Sequence, residues 1–216
     1  MKKMFMVLVI LLIILIAIGA VISLVLQLYK TNTPSSGGNS QSRQVSPNTE
    51  KVLADPISNA KSRIIKKPFG IYVTPENSPV QPEKFTGYHT GADFETTPQE
   101  ANANVPIYAV CSGSVRIEET VQGYGGVIIE NCVLENQPVT VLYGHLNINT
   151  FHTLSGEQNV KAGDKIAVLA PANSAMSGGE RKHLHLGIHK GSAVDFRGYV
   201  QNKSELYAWI DPATLL

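Results

Sequence analysis

No histidine occurs in the first 88 residues of this 216-residue chain, and no charged residue lies between Met4 and Leu28. Cysteine is nearly missing as well, with Cys111 and Cys132 the two examples. Outside the cytoplasm they could form a disulfide if adjacent strands bring them together, or remain two buried thiols; spacing alone leaves both open. There is no charge excess: the formal net charge is +1. No basic cluster follows the apolar N-terminal run, so nucleic acid is not an expected partner. No internal repeat is visible, and after that run no segment keeps a long 3.6-residue apolar period, which argues against a helical domain.

What is present divides the chain in three. Lys2 and Lys3 precede the uncharged run, in which Ser23 and Gln27 are the polar residues. As a helix at ~1.5 Å per residue the run is roughly 37 Å long. A bilayer core needs about 20 apolar residues, so it can span with some tilt. A cleavable signal peptide has a shorter apolar stretch ending at small residues. Ala17-Ile-Gly-Ala20 is a poor cleavage site, and the run continues past it. Residues 1–30 are therefore expected to be a transmembrane anchor with a short cytoplasmic N-terminus, in the orientation that Lys2 and Lys3 favour and Lys30 weakens. The remainder is then extracytoplasmic, at the cell membrane.

From Thr31 to Glu50, Val45 is the lone aliphatic residue. Such a stretch cannot bury enough surface to offset its ordering entropy, so 31–60 is expected to be a disordered linker, with an r.m.s. span of roughly 30 Å. Residues 61–216 suit one domain. Within them, short β-branched runs recur between turn signals: Val105–Val110, Val115–Glu118, Gly126–Glu130, Val139–Tyr143 and Lys165–Leu169. The pattern predicts a mainly β domain, an antiparallel sheet or sandwich. Lys203–Ile210 is the one helical candidate, ended by Asp211-Pro212.

The histidines carry the chemistry. In His183-Leu-His185-Leu186, a strand puts both imidazoles on one face and both leucines on the other, with Gly187 leaving room beside the rings. His189 is expected to be a bystander on that face. His89-Thr-Gly-Ala-Asp93 adds an imidazole and a carboxylate, with Gly91 permitting a tight turn that aims both side chains at one point. His145 closes a strand after Gly144. Each piece alone reads as an ordinary strand or turn. Together they offer more nitrogen and oxygen donors than the three protein ligands of a catalytic zinc. Zn²⁺ so held can lower the pKa of water and polarise a carbonyl, and the spare histidines can move protons or stabilise an oxyanion.

In order and spacing these motifs resemble the lysostaphin/LytM-type zinc metallopeptidases, which cut peptide crosslinks in bacterial cell walls. The resemblance runs from about Pro68 to Leu216. It takes in H-x-x-x-D at His89, P-I-Y-A-V-C-S-G-S-V, Y-G-G-V-I-I-E-N, L-Y-G-H-L, V-K-A-G-D-K-I-A-V-L, H-L-H-L and the closing I-D-P-A-T-L-L. It implies Zn²⁺ held by His89, Asp93 and His185, with His145 and His183 as the catalytic pair, one a general base and the other orienting or stabilising the intermediate. It also implies a peptidoglycan peptide as substrate and a zinc in a groove of an antiparallel β fold.

The chain departs from that family's pattern beside H-x-H. Glu180-Arg181-Lys182 stand where small residues and proline are usual, and Leu186-Gly187 follow where Phe-Glu is frequent, so substrate preference and turnover are open there. Two other readings stand beside the enzyme. One is a non-catalytic domain of the same fold that binds wall or activates a separate amidase, although such domains commonly lose zinc positions and this chain keeps all five. The other, a lipoyl- or biotinyl-like carrier suggested by V-K-A-G-D-K-I-A-V-L, lacks a suitably placed lysine. The Pro-rich stretch 64–83 could also cap the metal, for example through Asn77.

Overall fold

The computed structural model describes residues 53–151 and 158–216. The expected membrane anchor lies outside these residues; among the described ones no helix is long and apolar enough to cross a membrane. The strands are β1 (Tyr72–Val73), β2 (Gly87–His89), β3 (Gly91–Glu95), β4 (Pro106–Tyr108), β5 (Gly113–Val121) and β6 (Gly125–Leu134). They continue as β7 (Gln137–Leu146), β8 (Gln158–Val160), β9 (Lys165–Val168), β10 (His183–Lys190), β11 (Tyr199–Val200) and β12 (Trp209–Ile210). The domain is mainly β and antiparallel, as the alternating runs predict.

The principal sheet runs β12-β10-β7-β6-β5-β8. Strand β10 is its pivot. One edge pairs with β7 and the other is shared, with β3 beside its first half and β12 beside its second. Strands β1, β2 and β11 form a small sheet, and β4 pairs with β9. Alternation decides which face of β10 is apolar. Leu184, Leu186 and Ile188 are fully buried in a core with Phe94, Ile107, Ile128 and Tyr143. Each such side chain stabilises the fold by about 1.5–3 kcal/mol. The intervening His183 and His185 point to the other side, where the site lies.

Three expectations are corrected. The linker does not extend to residue 60: Leu53 and Ile57 are fully buried in the core. Backbone bonds Leu53 N to Leu215 O, Ala54 N to Val110 O and Tyr108 N to Pro56 O tie the segment in place. Sparse apolar residues suffice here because they fall on sites the domain leaves open. His89 to Asp93 is not a turn but two strand segments, β2 and β3. Gly91 serves close approach rather than bending: a Cβ there would lie 2.4 Å from Leu186 O and 2.8 Å from the His185 ring. The helical candidate is a six-residue 3-10 segment, Lys203–Ala208, after which Trp209 and Ile210 pair with β10. Sheet pairing overrides the local helical tendency.

Cys111 and Cys132 are joined as a disulfide, with Cα atoms 6.3 Å apart. A carboxylate oxygen of the fully buried Glu130 lies within 4.8 Å of both sulfurs.

Candidate metal centre

The antiparallel register builds the centre. On β3 and β10, His185 faces Asp93 and His183 faces Glu95. His89 ends β2, with Thr90 alone between it and β3. His145 lies near the end of β7, whose Gly144 pairs with His185. Gly144 leaves space for a ring: its Cβ would lie 2.5 Å from Tyr124. The backbone of His145 is left-handed, with φ 63°, a conformation costing about 1–3 kcal/mol in a non-glycine residue. It is held on both sides, by Ala170 N donating to its carbonyl and by Leu146 bridging to Leu169.

All five sequence-predicted residues converge on one groove of about 270 Å³. His89 Nε2, Asp93 Oδ1 and His185 Nδ1 form a triangle with sides of 3.0, 3.2 and 3.3 Å. A tetrahedral ion with ligand bonds of ~2.0–2.1 Å has ligand–ligand edges of roughly 3.3 Å, so the donor set fits zinc. The far sides of the rings agree. His89 Nδ1 donates to Pro68 O at 3.3 Å, leaving Nε2 with its lone pair toward the centre. His185 Nε2 lies 3.3 Å from the Tyr124 hydroxyl, leaving Nδ1 for the centre. Partners of this kind orient metal-binding imidazoles and fix their tautomers.

Burial and charge set the protonation. Burial opposes ionisation of Asp93, but His183 and His89 overcome it and hold the carboxyl well below the usual range. Burial lowers His185 to about 4. Burial, followed by the neighbouring His183, pushes His145 well below an ordinary imidazole. Each of these rings then presents a lone pair near neutrality.

The spare pair differs in its partners. His145 Nδ1 donates to Ser177 O at 2.9 Å, which leaves Nε2 free. His183 Nδ1 lies 2.9 Å from Arg181 O, and its Nε2 lies 3.3 Å from Asp93 Oδ2. The two ring centroids are 4.3 Å apart. His189 packs edge-on against Trp209 instead. Asn77 is tied to its own loop, accepting from Thr74 N at 2.6 Å, and is not among the groove's lining residues.

Residues not read from the sequence as part of the site complete the groove. Tyr124, in the Gly123-Tyr-Gly-Gly126 turn, backs His185. Tyr199 stacks on Phe85 at 5.3 Å and bonds to Lys67 at 3.0 Å, while Lys67 is paired with Glu83. Arg181 stood out only as a departure from the family pattern beside H-x-H; its contact with Asp93 appears in the fold.

An antiparallel β domain holding a buried His-Asp-His donor triangle, with two further histidines beside it, defines a metallohydrolase type of site. The chain belongs to Peptidase family M23: residues 87–196, which include all five site residues, match that family. The resemblance read from the motifs is thus borne out at family level. No curated protein matches the chain. Among solved structures it is similar to Csd3 of Helicobacter pylori, at 22% identity and a TM-score of 0.44, over 74% of this chain and 36% of that one. It is also similar to the catalytic domain of the antimicrobial peptidase lysostaphin from Staphylococcus simulans, at 20% identity and a TM-score of 0.44, over 68% of this chain and 86% of that one. A third likeness, to LytU, has 22% identity and a TM-score of 0.45, over 80% of this chain and 88% of that one. The chain spans about a third of the length of Csd3.

Proposed function

We propose that this chain is a zinc metalloendopeptidase that hydrolyses peptide stems or crosslinks of bacterial peptidoglycan from an extracytoplasmic position at the cell membrane. The observation that carries the reading is the donor triangle of His89, Asp93 and His185, whose sides of 3.0 to 3.3 Å suit one tetrahedral ion. Zinc held by His89, Asp93 and His185 would supply Lewis acidity, lowering the pKa of water and polarising the scissile carbonyl. The family supports peptide-bond hydrolysis. The Cys111–Cys132 disulfide supports an oxidising compartment, and the uncharged run from Met4 to Leu28 supports the anchor.

The partners of the two spare histidines divide their work. His145 donates from Nδ1 to a carbonyl and is kept neutral by burial, so its free Nε2 can accept a proton as general base. His183 faces two acceptors, Arg181 O and Asp93 Oδ2. Those contacts hold its ring beside the donor triangle, where it can orient the intermediate or stabilise developing negative charge.

Digestion of purified peptidoglycan tests the reading. The wild type should release soluble fragments with new free amino groups and no new reducing sugars. His145→Ala should keep its zinc and lose roughly 10²–10⁴-fold in rate, the contribution of a positioned base. Full activity in His145→Ala would remove that residue's role. A zinc-loaded wild type that releases nothing would favour the binding or amidase-activating reading.

A further inference from the structure

Arg181 has partners that bear directly on the metal ligand Asp93. Its Nη2 donates to Asp93 Oδ2 at 2.9 Å. Its Nε lies 3.0 and 3.1 Å from the two Glu95 carboxylate oxygens, and Nη2 also reaches Glu95. Lys66 Nζ contacts Glu95 Oε2 at 3.3 Å. A row of alternating charge, Asp93-Arg181-Glu95-Lys66, therefore runs outward from the donor triangle. The register explains it: Asp93 and Glu95 are two residues apart on β3, opposite His185 and His183, and Arg181 precedes His183 by two.

The two Asp93 oxygens are thus used differently. Oδ1 faces His89 Nε2 at 3.3 Å and His185 Nδ1 at 3.2 Å. Oδ2 is turned away, accepting from Arg181 and lying 3.3 Å from His183 Nε2. A free carboxylate can offer one oxygen or both to a cation. One whose second oxygen is held by a charged guanidinium, itself anchored by Glu95, offers one.

We infer that Arg181 is a positioning residue that holds Asp93 as a one-oxygen ligand and so preserves an open place on the metal for substrate and water. The inference rests on the metal-dependent reading above. The guanidinium does not touch the reacting atoms in this account; it acts through Asp93. Removing it frees Oδ2 to swing toward the ion, raising the number of ligands and filling the place that catalysis needs.

Cobalt(II) in place of zinc reports ligand number directly, because four-coordinate Co²⁺ absorbs visible light far more strongly than the five- or six-coordinate ion. The test compares the full-length wild type with Arg181→Met, Arg181→Lys and the double variant Arg181→Met/Glu95→Gln, with folding followed by circular dichroism. The double variant removes the carboxylate that Arg181 would otherwise leave unpaired, so a folding failure of the single variant does not end the test. The wild type should show the strong four-coordinate band. The Met variants should show a weaker band and bind the ion about 10–100-fold less tightly, the usual cost of losing a partner behind a ligand. Arg181→Lys should keep more of the band than Arg181→Met. A band unchanged from wild type in the folded Met variants overturns the inference, whatever happens to affinity. A wild type that takes up no cobalt or zinc would instead sink the metal-dependent reading, a distinct result.

Discussion

At the scale of single residues, a carboxyl away from the groove offers the clearest pH test. Glu130 is fully buried on β6, and burial raises its carboxyl to about 7 even though the Tyr143 hydroxyl, donating to Oε2, acts in the opposite sense. Its Oε1 has no hydrogen-bond partner among the described residues. The folded value stands above the ordinary 4.5, so the unfolded chain loses this proton first. Stability is fully present below about pH 4.5 and declines as pH rises through about 7. The gap corresponds to about 3 kcal/mol at ~1.4 kcal/mol per pH unit. Glu130→Gln should therefore match the wild type near pH 4 and exceed it by about that amount near pH 8 in denaturant unfolding. An equal difference at both pH values would show that Glu130 does not titrate in this window.

At the scale of elements, the strands were legible because alternation reports a half-buried face. The runs at Val115, Gly126 and Val139 fall within β5, β6 and β7, and the run at Lys165 forms β9 and ends one residue beyond it. The same rule placed His183 and His185 on one face. Three elements were not legible, each for a different physical reason. The β2–β3 connection looked like a turn because Gly91 suits turns, yet the glycine is needed where His185 and Leu186 cross it. The segment at Lys203 has a capping box formed by Asn202 and Glu205, a true local helix signal, but it ends at Trp209 where β12 begins. The stretch beginning at Leu53 follows a polar region and has too few apolar residues to announce itself. Leu53 and Ile57 nonetheless lie in the core at 1% and 0% exposure. At about 1.5–3 kcal/mol each, they give a concrete expectation. A fragment starting at Lys61 should be less stable than one starting at Thr49 by several kcal/mol, read as a lower denaturant midpoint. Equal midpoints would mean that this segment contributes nothing to folding.

At the scale of the whole molecule, residues far apart in sequence meet at one groove because β10 pairs with both β7 and β3. His89, Asp93 and His185 could be recognised as a set from motif order, and the structure adds the triangle and the partners on the far sides of the rings. What the sequence concealed was the support. Tyr124 behind His185, Ser177 at the end of a 3-10 turn behind His145, and Arg181 behind Asp93 lie outside the strands, and their approach depends on tertiary packing rather than on any local period. The flank Glu180-Arg181-Lys182 stood out as a departure beside H-x-H. In the structure its arginine is part of the charged row that ends on Asp93, so the departure has a physical place in the site.

If His89, Asp93 and His185 together hold one zinc, the purified chain carries one zinc, and zinc content per chain decides it. Purified full-length protein and His185→Ala would be offered zinc, freed of excess and analysed side by side. The account predicts about one zinc per wild-type chain and almost none in the variant, in keeping with a three-ligand site that has lost one ligand. No zinc in either, or equal zinc in both, would contradict it.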